Sequence, residues 1–173
     1  MGGDSAGGNL TLAVLSVILH GFPNIEAPKL AQKLAGALLI SPWVSFEYQT
    51  ASWKQYGAKD VVSAESSQQL TELFVGPDEH NNYSEPGNAK SSWWENLAAR
   101  RILNVYGGCE CLRDSQVELG RSLKKSGNEV EDVECEGHIH IDCILDAQTG
   151  MQPGKMAHTI QGWLLRVFSS ENK

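Results

Sequence analysis

An α/β fold, with a mostly parallel sheet flanked by helices, is what this sequence predicts. Three observations carry it. A glycine-framed serine turn opens directly into an apolar helix; short apolar runs alternate with helical patterns; and two late strands each end in a turn rich in acidic, cysteine or histidine residues. The 173 residues fit a single domain, 1–173, with enough chain to bury a core.

The elements follow in order. Residues 7–21 (GGNLTLAVLSVILHG) are apolar almost all round, which predicts a helix buried on more than one side, stopped by Gly21 and Pro23. Residues 34–41 (LAGALLIS) form a continuous apolar run ending at Pro42, as a buried parallel strand does. Residues 47–98 are richer in Ser, Gln, Asn, Trp and Tyr and interrupt the alternation. They read as a lid-like insertion containing one helix, capped by Ser63, running through Leu70, Leu73 and Phe74 and ended by Gly76-Pro77. The stretch 78–88 is a loop by composition. Alternation then resumes with a strand at 101–106, an amphipathic helix at 114–126 with Val117, Leu119 and Leu123 on its apolar side, and a half-buried edge strand at 129–135. Pro153 opens a last helix whose Met156, Ile160, Leu164 and Val167 recur at helical spacing.

Charge and composition exclude several classes. The net charge is -7 and the few basic residues are scattered, Arg100-Arg101 and Lys124-Lys125 being the only doublets, so no phosphate-binding surface is expected and nucleic acid is excluded as a partner. No apolar run reaches the roughly 18 residues of a membrane span. Met1-Gly2-Gly3 has neither the basic region nor the apolar core of a signal peptide, which leaves localisation unassigned and cytoplasmic as the default. Four cysteines (Cys109, Cys111, Cys135, Cys143) are too sparse for a disulfide scaffold and read as free thiols.

Gly3-Asp4-Ser5-Ala6-Gly7 has the form G-x-S-x-G before an apolar helix. A nucleophilic serine on a sharp strand-to-helix turn takes strained backbone angles, and glycines on either side avoid Cβ clashes. The helix N-terminus favours an anion there, and the Ala6 N–H is one candidate oxyanion donor. A serine hydroxyl needs a base, and in this arrangement an acid and then a histidine follow, each after a strand. The turn after 101–106 offers Glu110 and Asp114; the turn after 129–135 offers His138 and His140. Cys109, Cys111, Cys135, His138, His140 and Cys143 converge if these strands are neighbours, but C-x-C and H-x-H are not zinc-ligand spacings, so no metal is expected. His20, His80 and His158 read as bystanders.

The stretch Gly3-Asp4-Ser5-Ala6-Gly7-Gly8-Asn9-Leu10 resembles the nucleophile elbow of the hormone-sensitive-lipase-like α/β-hydrolases (fold-3 esterases) almost letter for letter. Glu110-Cys111-Leu112-Arg113-Asp114 is similar to that family's acid motif, acid-x-Leu-x-Asp, whose first acid is catalytic. Gly137-His138-Ile139-His140 is similar to its Gly-x-x-His. Ser41-Pro42, Tyr83-Ser84-Glu85-Pro86 and Trp93-Trp94 resemble fungal members. The resemblance implies a Ser5–Glu110–His140 triad acting without cofactor on small-molecule esters, with Asp114 as the alternative acid and Trp53, Trp93 and Trp94 on the apolar substrate side. It also implies that the chain is the C-terminal part of the fold. The family's His-Gly-Gly-Gly oxyanion loop lies upstream of the elbow, and the strand delivering Ser5 is here reduced to Met1-Gly2. A weakly active or inactive fragment, with an exposed apolar sheet edge, is therefore expected. The alternative is a non-catalytic remnant or interaction module. Oligomeric state is not read from the sequence.

Overall fold

The structure, a computed structural model, describes residues 1–76 and 80–170. Four strands, β1 (Gly2–Asp4), β2 (Ala37–Ile40), β3 (Ile102–Gly107) and β4 (Val130–Cys135), pair in parallel in the order β1-β2-β3-β4. Parallel neighbours need crossovers, and here these are α1 (Ala6–His20), the 47–98 segment and α4 (Arg113–Lys125). The segment itself holds α2 (Ala51–Tyr56), α3 (Ala64–Phe74) and two single 3-10 turns; α5 (Asp142–Thr149) and α6 (Lys155–Ser170) follow β4.

Alternation along the strands sorts side chains into two layers. Ala37, Leu39 and Ile102 pack with Leu12 and Leu15 of α1 and Leu119 and Leu123 of α4. Leu103, Val105 and Cys135 face the other way, onto Met156, Trp163 and Val167 of α6. A third cluster, Trp43, Trp53, Cys111 and Leu112, joins the 47–98 segment to the turn after β3.

Several expectations change in detail. The sheet has four strands rather than three, because Gly2–Asp4 pairs with Leu38–Ile40 and Leu38 N–H donates to the Met1 carbonyl at 3.0 Å. Helix α5 was not foreseen; none of its residues is buried, so no apolar stripe announces it. On α4 the buried face is Gln116, Leu119, Gly120 and Leu123, with Val117 half-buried at its margin. Gln116 takes a core place with its side-chain amide donating to the Pro42 carbonyl (3.3 Å), while its backbone carbonyl accepts from Asn104 Nδ2 (3.0 Å). Helix α6 begins at Lys155, past Pro153. Helix α3 starts at its Ser63 cap, which accepts from Ser66 N–H, and ends at Phe74; Pro77, expected as part of its stop, and positions 78 and 79 of the expected loop lie outside the described residues. Beside β1, Leu34, Leu38, Ile40, Trp163, Leu164 and Phe168 line an apolar groove of about 480 Å³. No helix among the described residues is long and apolar enough to cross a membrane.

Candidate active site

Ser5 sits on the turn between β1 and α1 with φ 48° and ψ -116°, a positive-φ conformation that L side chains rarely adopt. Its backbone is held from several directions. The Ser5 N–H donates to the Ile40 carbonyl (2.9 Å), and its carbonyl accepts from Gly8 N–H and Trp43 N–H, both at 3.0 Å. Asp4 pairs with Ile40 in β1. A Cβ on Gly3 would lie 2.4 Å from the Gly7 carbonyl carbon and oxygen, and one on Gly8 2.7 Å from Pro42 Cβ. A Cβ on Gly7 meets nothing within 4 Å, so the steric demand for glycine falls on Gly3 and Gly8 rather than on Gly7. Ala6 opens α1, where N–H groups have no intrahelical acceptor and are free to face a ligand.

The turns after β3 and β4 converge on this serine. His140 Nε2 lies 2.9 Å from Ser5 Oγ. On its other side, His140 Nδ1 lies 3.7 Å from Glu110 Oε2, beyond hydrogen-bond length. Both side chains are buried, Glu110 completely and His140 to 2% exposure. His140 Nδ1 and Glu110 Oε1 are both buried without a hydrogen-bond partner among the described residues. A buried ring nitrogen and a buried carboxylate oxygen, each without a partner so close together, favour a contraction that would join them. Glu110 Oε2 already accepts from Ser41 Oγ (2.7 Å) and Gly107 N–H (3.3 Å). A Cβ on Gly107 would fall 2.4 Å from the His138 carbonyl, so this glycine lets the two turns approach.

Asp114, the alternative acid, lies elsewhere: its Oδ2 accepts from Ser52 N–H at 2.9 Å, tying α4 to α2. His138 pairs with Asp142 (2.7 Å) rather than with the serine. His20 Nε2 donates to the Trp93 carbonyl and His80 pairs with Glu85. Two residues in the same neighbourhood leave no chemical mark in the sequence. Ser41, fully buried, accepts from Ile141 N–H while donating to Glu110; Asp60 accepts from both Cys111 N–H (2.7 Å) and His140 N–H (3.1 Å). Both Asp60 contacts and one of the two Ser41 contacts are with backbone amides, which every residue carries, so residue spacing does not reveal them.

All four cysteines are free, and among the described residues no group of three His, Cys, Asp or Glu side chains could hold a metal ion. Burial, reinforced by the Asp60 carboxylate, pushes the Cys111 thiol up to about 12, and burial pushes Cys143 up to about 11. Thiolate is the reactive form, so Cys111 should alkylate with iodoacetamide about 10³-fold, and Cys143 about 10²-fold, more slowly than in the unfolded chain at pH 8. Peptide mapping after timed labelling measures this. The folded values lie above the unfolded ones, so the associated stability is complete below the ordinary thiol range and is lost as pH rises toward 12. The melting temperature should therefore fall across that window, less steeply in Cys111→Ala.

The Trp residues divide. Trp94 is fully buried in the α1/α4 core and Trp93 packs against it, its indole N–H donating to Ser16 Oγ at 3.1 Å. Trp53 is buried in the third cluster. An apolar surface that starts at Ala6, next to Ser5, is made instead by Ala6, Leu10, Ala13, Trp43, Leu70 and Phe74, around a cavity of about 370 Å³. A smaller one of about 50 Å³, sharing Trp43 and Leu70, touches Ser5 itself.

A parallel sheet whose first strand delivers a strained serine to a helix N-terminus, with a histidine from a later strand turn against its hydroxyl, is α/β-hydrolase architecture. The chain belongs to the alpha/beta hydrolase fold family, whose model matches residues 1–143. It is 26% identical over 133 residues to Gibberellin receptor GID1C of Arabidopsis thaliana, spanning 76% of this chain and 36% of the receptor. Among solved structures, a fungal esterase from Rhizomucor miehei superposes with TM-score 0.77 at 23% identity, covering 98% of this chain and 50% of that one. An esterase of the bacterial hormone-sensitive lipase family gives TM-score 0.65 at 24% identity, covering 82% and 44%. A thermostable esterase from Pseudomonas putida gives 0.68 at 24%, covering 81% and 41%. The structural likenesses carry the fold, and the chain spans from about a third to half the length of the proteins it matches.

Proposed function

We propose that this chain carries the catalytic portion of a serine carboxylic-ester hydrolase with a Ser5–Glu110–His140 triad. The observation that carries the reading is the 2.9 Å contact between His140 Nε2 and Ser5 Oγ at a strained elbow. Ser5 Oγ attacks the ester carbonyl carbon and passes its proton to His140 Nε2. The carbon–oxygen bond to the alcohol then breaks, and the departing oxygen takes that proton. Water repeats the sequence on the acyl-serine. Glu110 closes onto Nδ1 as the imidazolium forms, and the Ala6 N–H donates to the oxyanion. All of this uses the chain's own groups and needs no cofactor. The cavity bounded by Leu10, Trp43, Leu70 and Phe74 favours esters with a small or medium apolar group, and the 47–98 segment contributes Leu70 and Phe74 to its wall as a lid-like part of one domain.

The elbow offers the Ala6 N–H as an oxyanion donor, and each further donor is worth a factor of about 10²–10³. Turnover of a p-nitrophenyl ester by residues 1–173 is accordingly proposed to be weak. A fluorophosphonate probe needs only the activated nucleophile: Ser5 Oγ displaces fluoride and the adduct stays. Intact mass and peptide mapping should place one adduct on Ser5 and none on Ser5→Ala. Labelling that survives Ser5→Ala would sink the assignment. Silence in a folded sample would favour a binding module without turnover, a reading helped by the receptor name of the curated relative and by the open 3.7 Å gap between His140 and Glu110.

A further inference from the structure

We propose that Asp60, delivered by the 47–98 segment, is a positioning residue that fixes the acid turn and the histidine turn against each other. The inference rests on the triad reading above. One carboxylate spans the two turns: Oδ2 accepts from Cys111 N–H at 2.7 Å, and Oδ1 from His140 N–H at 3.1 Å. These amides belong to the residue after Glu110 and to His140 itself, so the atoms being held are one peptide from each reacting partner of Ser5. Hydrogen bonds from backbone N–H to a carboxylate are short and strong, and two of them from separate loops set a distance as well as an orientation.

The histidine turn needs such a restraint. Ile141, directly after His140, has φ 50°, a left-handed conformation that is costly for a β-branched residue and persists only where surroundings over-determine it. Its N–H donates to Ser41 Oγ (3.2 Å), the residue directly after β2, and the preceding amide donates to Asp60 of the 47–98 segment. Asp60 is itself fixed. Its N–H donates to the Tyr56 carbonyl (2.9 Å) at the end of α2, and its Oδ1 also accepts from Val61 N–H (2.8 Å). At the other end of α2, Ser52 Oγ donates to the Cys111 carbonyl (2.6 Å), and Ser52 N–H donates to Asp114. Cys111 is therefore gripped through both its N–H and its carbonyl by one short stretch of the 47–98 segment. In this arrangement Asp114 is a strut for the clamp. Anything that shifts α2 moves Glu110 and His140 together, which couples the segment covering the apolar cavity to the reacting groups.

The test compares Asp60→Ala, Asp60→Asn and the core variant Leu123→Ala, chosen to lower stability without touching the site. Two readouts are used: amide hydrogen exchange at Cys111 and His140, and the second-order rate of fluorophosphonate labelling at Ser5. Asp60→Ala should speed exchange at both amides by tenfold or more, shift the His140 imidazole nitrogen resonances, and slow labelling about 10–10²-fold, the scale of a misplaced reacting group. Asp60→Asn keeps one acceptor oxygen and should fall between. Leu123→Ala should lower the melting temperature while leaving the imidazole resonances and the labelling rate of the folded protein in place. Unchanged exchange and resonances in folded Asp60→Ala would overturn the proposal, as would equal effects in Leu123→Ala. Absence of labelling in the unsubstituted protein would instead sink the esterase reading, and the exchange and resonance arms would still decide the role of Asp60.

Discussion

Glu110→Gln is expected to slow fluorophosphonate labelling of Ser5 by about 10⁴-fold with the fold intact, the scale on which the corresponding acid-to-amide exchange acts in a serine-protease triad. The reason is the proton on the histidine. A carboxylate beside Nδ1 keeps the hydrogen there and leaves Nε2 free to accept from Ser5 Oγ, 2.9 Å away. A carboxamide can turn its NH₂ toward Nδ1, which stabilises the tautomer with the hydrogen on Nε2, and that nitrogen can then no longer take the serine proton. Glutamine has the same length, and its carbonyl oxygen can still accept from Ser41 Oγ or Gly107 N–H, so the variant should fold. Asp114→Asn is the internal control. Asp114 is committed to Ser52 N–H, and its amide variant keeps an acceptor there, so labelling should change by less than about tenfold. The reverse outcome, a large loss in Asp114→Asn with little in Glu110→Gln, would exchange the two roles. Circular dichroism and a thermal melt on each variant confirm that the rates compare folded proteins.

How much of this was legible beforehand depends on the kind of signal each element carries. The apolar runs around Leu12, Leu39 and Leu103 are dictated by burial in a two-layer α/β arrangement, and burial leaves periodicity in the sequence. The serine turn is legible because sterics at Gly3 leave no alternative residue. At Gly7, by contrast, the pattern implies a steric need that the structure does not have, since pattern alone cannot say which way a missing Cβ points. Helix α5 escaped because it buries nothing. The proximity of Ser5, Glu110 and His140 followed from strand order, which a parallel sheet makes nearly automatic once each residue is known to stand just past a strand end. The 3.7 Å gap, the Ser41 bridge and the Asp60 clamp did not follow. They are properties of loop geometry and backbone amides, and no residue type is uniquely suited to them.

Trp94→Ala should cost about 3–5 kcal/mol of folding stability, the range for truncating a large buried aromatic, and leave the labelling rate of the surviving folded protein unchanged. The sequence suggests a tryptophan on the substrate side; the structure puts it in the core, fully buried among Leu12, Leu15, Leu97 and Leu123. The carbonyl of Trp94 accepts from Asn128 Nδ2 at 2.7 Å, so its backbone is pinned to the turn that leads into β4 and cannot follow a smaller side chain inward. A cavity should therefore remain rather than collapse. A domain of this size is stable by only about 5–15 kcal/mol in all, so the loss should appear as a large fall in the urea midpoint. Trp94→Phe should cost much less, because the ring keeps most of the volume and the indole N–H it removes has no acceptor among the described residues. The opposing reading makes a different prediction. A tryptophan lining the ester pocket would leave the midpoint nearly unmoved when truncated and would alter the relative labelling rates of short and long alkyl fluorophosphonates. That second pattern is expected instead for Leu70→Ala, because Leu70 is exposed and borders both the cavity at Ser5 and the larger apolar one beside it.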